Sequence, residues 1–444
     1  MSETWNNPEH LKNIIEDVLK EATAQGASSA EVDVGLNKGF SVTSRMGDVE
    51  SVEYNRDKII DITVFFGQRT GSSSLSDLSK DAIQSAVKAA CNIARFGDRD
   101  ECAGLADKEL LAFDYPDLQL SSPWDISVEQ AIEMTRECES IALSRDKRIQ
   151  NSEGASISTT AGWHAYGNTH GFTGVYGATR HDISCSLIAQ GDDEMQRDYS
   201  YTVACDPELL KSIEWVANTA ADRTLRRLGA ERLSTRKVPV IFAAEEARGL
   251  LGHFVAAITG GSLYRKSSFL VDHLNKPIFP AHIKIDERPH LLKSLGSAPF
   301  DDNGVVTRPN IFIENGVLRN YCLGVYSARK LGMKTTGNAG GVHNLFINTS
   351  NKDLPALLKS MGTGLYVTDL MGQGVNLVTG DYSRGAAGFW VQDGVIQYPV
   401  EEITIAGNLR DMYANLVEVA NDVDTRGNIK TGSILIESMM VAGD

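Results

Sequence analysis

The sequence predicts an α+β protein, with an N-terminal part of mixed helices and antiparallel strands (residues 1–234) and a β-rich C-terminal part (residues 235–444). Three observations carry that expectation. Stripes of period 3.6 alternate with runs of period two before residue 230. A basic, polar stretch at residues 232–237 marks a change of texture, and beyond it strand–turn–strand signals recur in a glycine-dense chain.

The first helix opens where Asn7 can cap and Pro8 suits the first helical position. Leu11, Ile14, Ile15, Val18, Leu19 and Ala22 form its apolar stripe, and Gly26 stops it. Val32, Val34 and Leu36 then alternate, followed by Val49, Val52 and Tyr54, a polar turn at Arg56-Asp57-Lys58, and residues 59–66 as the hairpin partner. A second helix is expected over residues 79–96, with Ile83, Ala86, Val87, Ala90 and Ala94 on one face and Gly97 behind it. Residues 98–123 show no period and contain Pro116 and Pro123, so they read as a surface connection. Ser127 and Gln130 make a capping-box pattern in which each side chain satisfies a backbone amide of the other. The third helix that it opens has Val128, Ala131, Ile132, Thr135, Cys138 and Ala142 as its stripe.

Residues 156–205 are rich in Ser, Thr, Tyr and Gly, which fits several antiparallel strands with turns at Gly167-Asn168 and Gly191-Asp192. Asp206 and Pro207 start a fourth helix that ends at Gly229. Helix–strands–helix thus occurs twice before residue 230. An internal duplication would give that order, although the two halves share too little sequence to assert one. In the second part a buried-type strand (residues 238–243) leads into a helix over residues 245–258, closed by Gly260-Gly261. Turns follow at Asp302-Asn303-Gly304, Glu314-Asn315-Gly316 and Gln392-Asp393-Gly394.

Composition narrows the function. The 444 residues carry 43 Lys+Arg against 58 Asp+Glu, a net charge of −15, and show no basic run. Nucleic-acid binding draws on clustered cations, so that class is disfavoured. The longest apolar stretches (residues 240–244 and 254–258) are far too short for a membrane span, and the first residues lack the pattern of a secretory signal. Six scattered cysteines without a C-x-x-C pair read as reduced packing residues. A cytoplasmic protein without membrane or nucleic-acid partners is expected.

Common catalytic motifs are missing. No His is followed by Glu, so an H-E-x-x-H zinc helix is excluded, and there is no G-x-S-x-G elbow, phosphate loop or EF-hand loop. Gly372-Gln373-Gly374 lacks the third glycine of a dinucleotide fingerprint. Ser327–Lys330 (S-x-x-K) and Lys430-Thr431-Gly432 (K-T-G) follow the order of penicillin-recognising serine enzymes, but no S-x-N element lies between them. Glu246 and His253 sit on one side of a helix about 10 Å apart along its axis, too far to share a metal. Glu245 is read as a capping residue, and Asp272-His273 and Asp301-Asp302 as loop and turn residues. The segment 380–390 combines small residues with Tyr382, Arg384 and Trp390, which suits an extended peptide held by edge-strand addition as well as it suits a packed glycine turn.

The runs GHFVAAITGGSLYRKSSFL (residues 252–270), SLGSAPFDDNGV (294–305), MGTGLYVTDLMGQGVNLVTGDYSRGAAGFWV (361–391) and YPVEEITIAGNLRDM (398–412) closely resemble the PmbA/TldE side of the TldD/PmbA (TldD/TldE) metalloprotease family. The resemblance implies a cytoplasmic bacterial assembly of a TldD-like and a TldE-like subunit that hydrolyses unfolded peptides, maturing a peptide-antibiotic precursor and degrading an antitoxin. An old label links the family to DNA gyrase control, and the acidic composition fits an indirect link better than DNA contact.

TldD-type chains place an H-E-x-x-x-H zinc helix directly after the strand that opens their second domain. Aligned through Gly249 and Gly252, its first His position holds Ala243, its Glu position Ala244 and its second His position Arg248. No cysteine follows Cys322, where the TldD type has a further ligand. The resemblance therefore implies no catalytic residue, metal or cofactor in this subunit, which alone would be inactive, and zinc in a TldD-like partner. It would close the chamber and hold substrate, with Gly372, Gly374, Tyr382, Arg384 and Trp390 as the expected contacts. Heterodimerisation with that partner is expected, and a homodimer when the chain is alone. The competing readings are a stand-alone peptide-binding or chaperone-like protein and an independent hydrolase built on Glu246 and His253.

Overall fold

The computed structural model describes residues 8–192 and 194–443, and the cap expected at Asn7 lies outside the described residues. Helix α1 (Pro8–Ala24), strands β1 (Ser29–Arg45), β2 (Asp48–Phe66) and β3 (Arg69–Leu75), and helix α2 (Lys80–Phe96) come first. Helix α3 (Val128–Ser144), strands β4 (Ile149–Asn168), β5 (Thr173–Gln190) and β6 (Met195–Ala204), and helix α4 (Ile213–Leu225) repeat the order. The strands make one antiparallel sheet, β3-β2-β1-β4-β5-β6, so the two helix–strands–helix units meet at β1 and β4. Alternation explains its buried face: Val32, Val34 and Leu36 of β1 are fully buried and share a core with Leu11, Ile15 and Val18 of α1.

The local signals mostly hold. Ser79 caps α2 and Ser127 with Gln130 forms the reciprocal box of α3. Several expectations need correction; the turn expected at Gly167-Asn168 falls at residues 169–171, just beyond β4. Arg56-Asp57-Lys58 is not a turn but the middle of β2, and the chain reverses at Met46-Gly47, where both φ angles are positive as a two-residue hairpin requires. These polar residues are tolerated in a strand because that stretch is exposed. Asp206 and Pro207 open only a short turn at Pro207–Leu209, and α4 begins at Ile213 behind a second cap, Ser212.

The C-terminal half begins with β7 (Arg236–Phe242), α5 (Ala244–Ile258) and α6 (Gly260–Tyr264), so Gly260 starts a further helix rather than only closing one. Next come β8 (Ile285–Glu287), β9 (Asn310–Glu314), β10 (Val317–Leu318), α7 (Val325–Lys330), β11 (Leu345–Ile347) and α8 (Leu354–Met361). The chain finishes with β12 (Gly364–Met371), β13 (Asp381–Gln392), β14 (Val395–Asn408), α9 (Leu409–Ala414), β15 (Leu416–Val419), β16 (Ile429–Lys430) and β17 (Ile434–Ala442). One sheet runs β10-β9-β8-β11-β16, another β14-β13-β12-β7-β17-β15. In the second, β7 and β12 are parallel, and β14 also pairs with β17, which joins five strands into a ring.

Phe300, from the C-terminal half, inserts among rings of the N-terminal half, 5.2 Å from Tyr115 and 5.4 Å from both Phe172 and Tyr176. It is 2% exposed, and burial of one such ring contributes about 1.5–3 kcal/mol. Among the described residues no helix is long and apolar enough to cross a membrane. The cysteines are free thiols, all buried except the half-buried Cys102.

Candidate functional site

Strand β7 runs through the middle of its sheet, and the chain leaves it directly into α5. Ala243 is the residue before the helix; its N–H donates to Val367 O at 2.9 Å, and its methyl side chain offers no cap. The first turn of α5 faces a cleft of about 400 Å³ between the two halves of the chain. Edge strand β6 supplies one wall through Tyr201 and Thr202, α4 another through Arg223, and the loop carrying Asp424 and Arg426 a third.

Ion pairs fill the ground beside that turn. Arg223 Nη1 lies 2.9 Å from each oxygen of Glu245, and its Nε donates to Asp198 at 3.1 Å. Arg426 pairs with Glu245 and holds Asp424 through contacts of 2.9 and 3.0 Å. Arg248 Nε is 3.4 Å from Asp424, and its Nη2 donates to the Tyr201 hydroxyl at 3.1 Å. The Arg426 guanidinium also stacks 4.2 Å over the Tyr201 ring and donates to that residue's carbonyl at 3.2 Å. Arg227 extends the chain of charges by bonding Asp369 of β12 at 3.1 Å. Asp198, Tyr201, Arg223 and Arg227 belong to the N-terminal half and Glu245, Arg248, Asp369, Asp424 and Arg426 to the C-terminal half, so the network is a joint.

The two neighbouring carboxyls of α5 are driven apart. Burial pushes Glu245 upward, but Arg223 and Arg426 outweigh it and hold the group below the usual carboxylate value. For Glu246 burial first, then Asp369 and Glu245, outweigh the weaker pull of Arg384 and Arg223 and lift it to about 7. The capping role expected of Glu245 is therefore corrected: its carboxylate points to two guanidiniums instead of the helix amides.

A zinc ion does not fit this donor set. Ala243 and Ala244 bring no ligand atoms, and Arg248 brings a fixed positive charge to the place of the second His of such a helix. Among the described residues no group of three or more His, Cys, Asp or Glu is placed to hold a metal ion.

The glycine-rich segment lies elsewhere than its composition suggests. β13 is interior, paired to β12 on one side and β14 on the other, so edge-strand addition cannot occur on it; that expectation is corrected. Tyr382 is 2% exposed and packs against Phe242 and His253 at 6.4 and 6.2 Å between centroids. Trp390 is 7% exposed, under the Arg236 guanidinium at 5.1 Å. Their large side chains fill the core. Gly372 has a φ of +81°, and a Cβ on Gly374 would stand 1.7 Å from Ser383 O, so both glycines serve the folded loop 372–380 that joins β12 to β13. Arg384 Nη2 donates to Leu370 O at 3.1 Å, while its Nε is buried without a partner, as is Nε2 of His253. Burial, then the Arg384 charge, lowers the pKa of His253.

The remaining motifs separate. Lys330 bonds Asp100 at 3.0 Å, whereas Lys430 is buried against Ser294, Asn344 and Gly427, so S-x-x-K and K-T-G serve different neighbours. Asp301 accepts backbone amides of Asn303, Val305 and Ala339 as a turn residue should. His273 Nδ1 meets Val271 O at 2.7 Å. Sequence reasoning missed Asp198, Arg223, Asp424 and Arg426. No local pattern marks them in the sequence, because they become a site only when the two halves close.

Profiles described as PmbA/TldA metallopeptidase domain 1, central domain and C-terminal domain match residues 30–94, 121–228 and 235–443. The chain is 52% identical over 438 residues to Metalloprotease PmbA of Escherichia coli O157:H7, covering 98% of this chain and 97% of that protein. A crystal structure from Bacteroides thetaiotaomicron, described as a candidate modulator of DNA gyrase, superposes with a TM-score of 0.93 at 25% identity, covering 99% of this chain and all of that one. TldE from Thermococcus kodakarensis shares the fold, with a TM-score of 0.85 at 19% identity over 97% of this chain and 100% of that one.

Proposed function

The chain belongs to the PmbA/TldD family of metallopeptidases, and on that premise we propose that it is the non-catalytic, TldE-type half of a peptide-hydrolysing complex. One observation carries this reading. The turn where a TldD-type chain would bind zinc here carries Arg248 and is flanked by the Arg223–Glu245–Arg426–Asp424 ion pairs. A TldD-like partner would then bring the zinc, the activated water and the base, and this chain would close the chamber and hold an extended, unfolded peptide.

The cleft beside that turn suits the holding role. Ser200 to Val203 of β6 line it, and β6 is an edge of its sheet, so an added strand that displaces Arg426 from the Tyr201 carbonyl finds main-chain partners there that β13 lacks. A second contact is assigned to the hairpin of Gly372 and Gly374 with Arg384, whose neighbour Met371 is 47% exposed. Tyr382 and Trp390 would support that hairpin from the core and not touch peptide.

Purified alone, the chain should carry no stoichiometric zinc and cleave no unfolded peptide. With a co-expressed TldD-like chain, activity should appear and vanish when the zinc helix of that partner is mutated. One tightly held zinc per chain, or peptidase activity in the isolated chain, sinks the proposal. Peptide binding without a partner that turns it into hydrolysis would favour the chaperone reading.

A further inference from the structure

The cleft between the two halves has a direction. Its helical wall is one stripe of α4, Trp215, Thr219 and Arg223, continued by Arg226 at the helix end, where the backbone is still right-handed. Strand β6 forms the wall beside it, and the two run antiparallel. The Lys211 amide donates to Thr202 Oγ1 at 3.0 Å, and the Thr224 hydroxyl to Asp198 O at 3.4 Å. Arg226 therefore stands toward the Asp198 end of β6, and Lys211 toward the Thr202 end. From Trp215 to Arg226 the wall is about 16 Å long, room for about five extended residues.

Arg226 differs from the other guanidiniums of the cleft. It lies 4.9 Å over the Phe389 ring, and among the described residues it has no ion pair. The acidic groups whose charge reaches it, Asp198 and Glu245, are already bonded by Arg223. Of the other carboxylates lining the cleft, Asp424 is held by Arg426, and Asp422 accepts the amide and hydroxyl of Ser433 at 2.8 and 2.7 Å. Arg226 is exposed, yet the cleft walls desolvate it enough to lower its pKa, as happens to a cation without a counter-charge.

We infer that Arg226 receives the C-terminal carboxylate of a peptide that enters the cleft antiparallel to β6. The inference rests on the peptide-holding reading of this cleft and adds to it which end of the peptide is recognised. Every strand pair of the N-terminal sheet is antiparallel. A strand added to β6 in that sense, in place of the Arg426 contact, runs toward Asp198, so its last residue arrives at Arg226. A planar guanidinium with no carboxylate of its own offers that end two parallel N–H donors. Lys211 and Arg226 are both cations, so neither end of the cleft suits a free ammonium. The peptide end that stops inside it is the carboxylate one.

The test uses the full chain and one unfolded peptide without acidic residues, made as free acid and as C-terminal amide. Both forms carry a neutral fluorophore at the N-terminus. Fluorescence anisotropy should show the acid binding about tenfold or more tighter than the amide. Arg226→Gln should abolish that difference by weakening the acid alone, and Arg226→Lys, which keeps the charge but not the fork, should retain part of it. Lys211→Gln should leave it in place. Equal binding of acid and amide, a difference that survives Arg226→Gln or disappears with Lys211→Gln, or an amide ending in Asp that binds as tightly as the acid overturns the inference while the holding role stands. Binding of neither form, to the chain or to its complex with a TldD-like partner, overturns both.

Discussion

Arg223 holds Glu245 through one nitrogen placed 2.9 Å from each carboxylate oxygen, and this pair fastens the last helix of the N-terminal half to the first turn of α5. Its side chains are 16% and 21% exposed, so water screens it only partly. Removing one partner leaves Glu245 to Arg426 alone, or Arg223 to Asp198 alone, in a site from which water is largely excluded. Arg223→Ala and Glu245→Ala should each destabilise the protein by about 2–4 kcal/mol in urea unfolding. A double-mutant cycle should return a coupling above about 1 kcal/mol; additivity would show that the pair does not fasten the halves.

Chelation should leave the isolated chain unchanged. A structural metal stabilises by mass action on the folded state, so its removal lowers the melting temperature. With guanidiniums around the first turn of α5, excess EDTA is expected to shift the thermal midpoint by less than about 1 °C. A marked drop, reversed by added zinc, would contradict the fit argument.

Glu246 makes stability depend on pH. Its folded value of about 7 lies above that of an ordinary carboxyl, so between about pH 4.5 and 7 the folded state binds more protons than the unfolded one. Its contribution is therefore lost as pH rises through that window. His343, lowered to about 4 by burial, acts in the opposite sense between about pH 4 and 6.5, so the difference between variants is the informative quantity. Glu246→Gln should gain about 1–2 kcal/mol relative to wild type on going from pH 5 to 8. A pH-independent difference would place the carboxyl outside the charge cluster.

Trp390 and Arg384 should part company although they lie on one strand. Trp390→Ala empties a core site and should cost about 3–5 kcal/mol. Arg384→Ala should cost less than about 1 kcal/mol, since its Nε is already unpartnered, and should raise the pKa of His253 by NMR titration. An unchanged His253 titration would disprove the electrostatic link.

Much of the fold is legible in short stretches. The span of α2, the capping of α3, the stripe of α1, the alternation of β1 and the hairpin turn at Asp393-Gly394 depend on neighbours within a few residues, where local rules apply. The turn assigned to Arg56-Asp57-Lys58 failed because a polar run in a long exposed strand looks like a loop until its partner strand is known. The same limit applies to residues 380–390, since composition cannot distinguish an edge strand from an interior one.

For this protein the sequence by itself determined the α+β class and the family, because each is carried by residue patterns at a fixed spacing. Only the tertiary structure decided which charged residues gather around the first turn of α5. Asp198, Arg223, Glu245, Asp424 and Arg426 span more than 200 positions of the sequence, and they become one electrostatic unit because closure of the two halves removes water from between them. It also showed that β13 is interior whereas β6 ends its sheet, since which strand keeps a free edge is settled by sheet order and not by side chains.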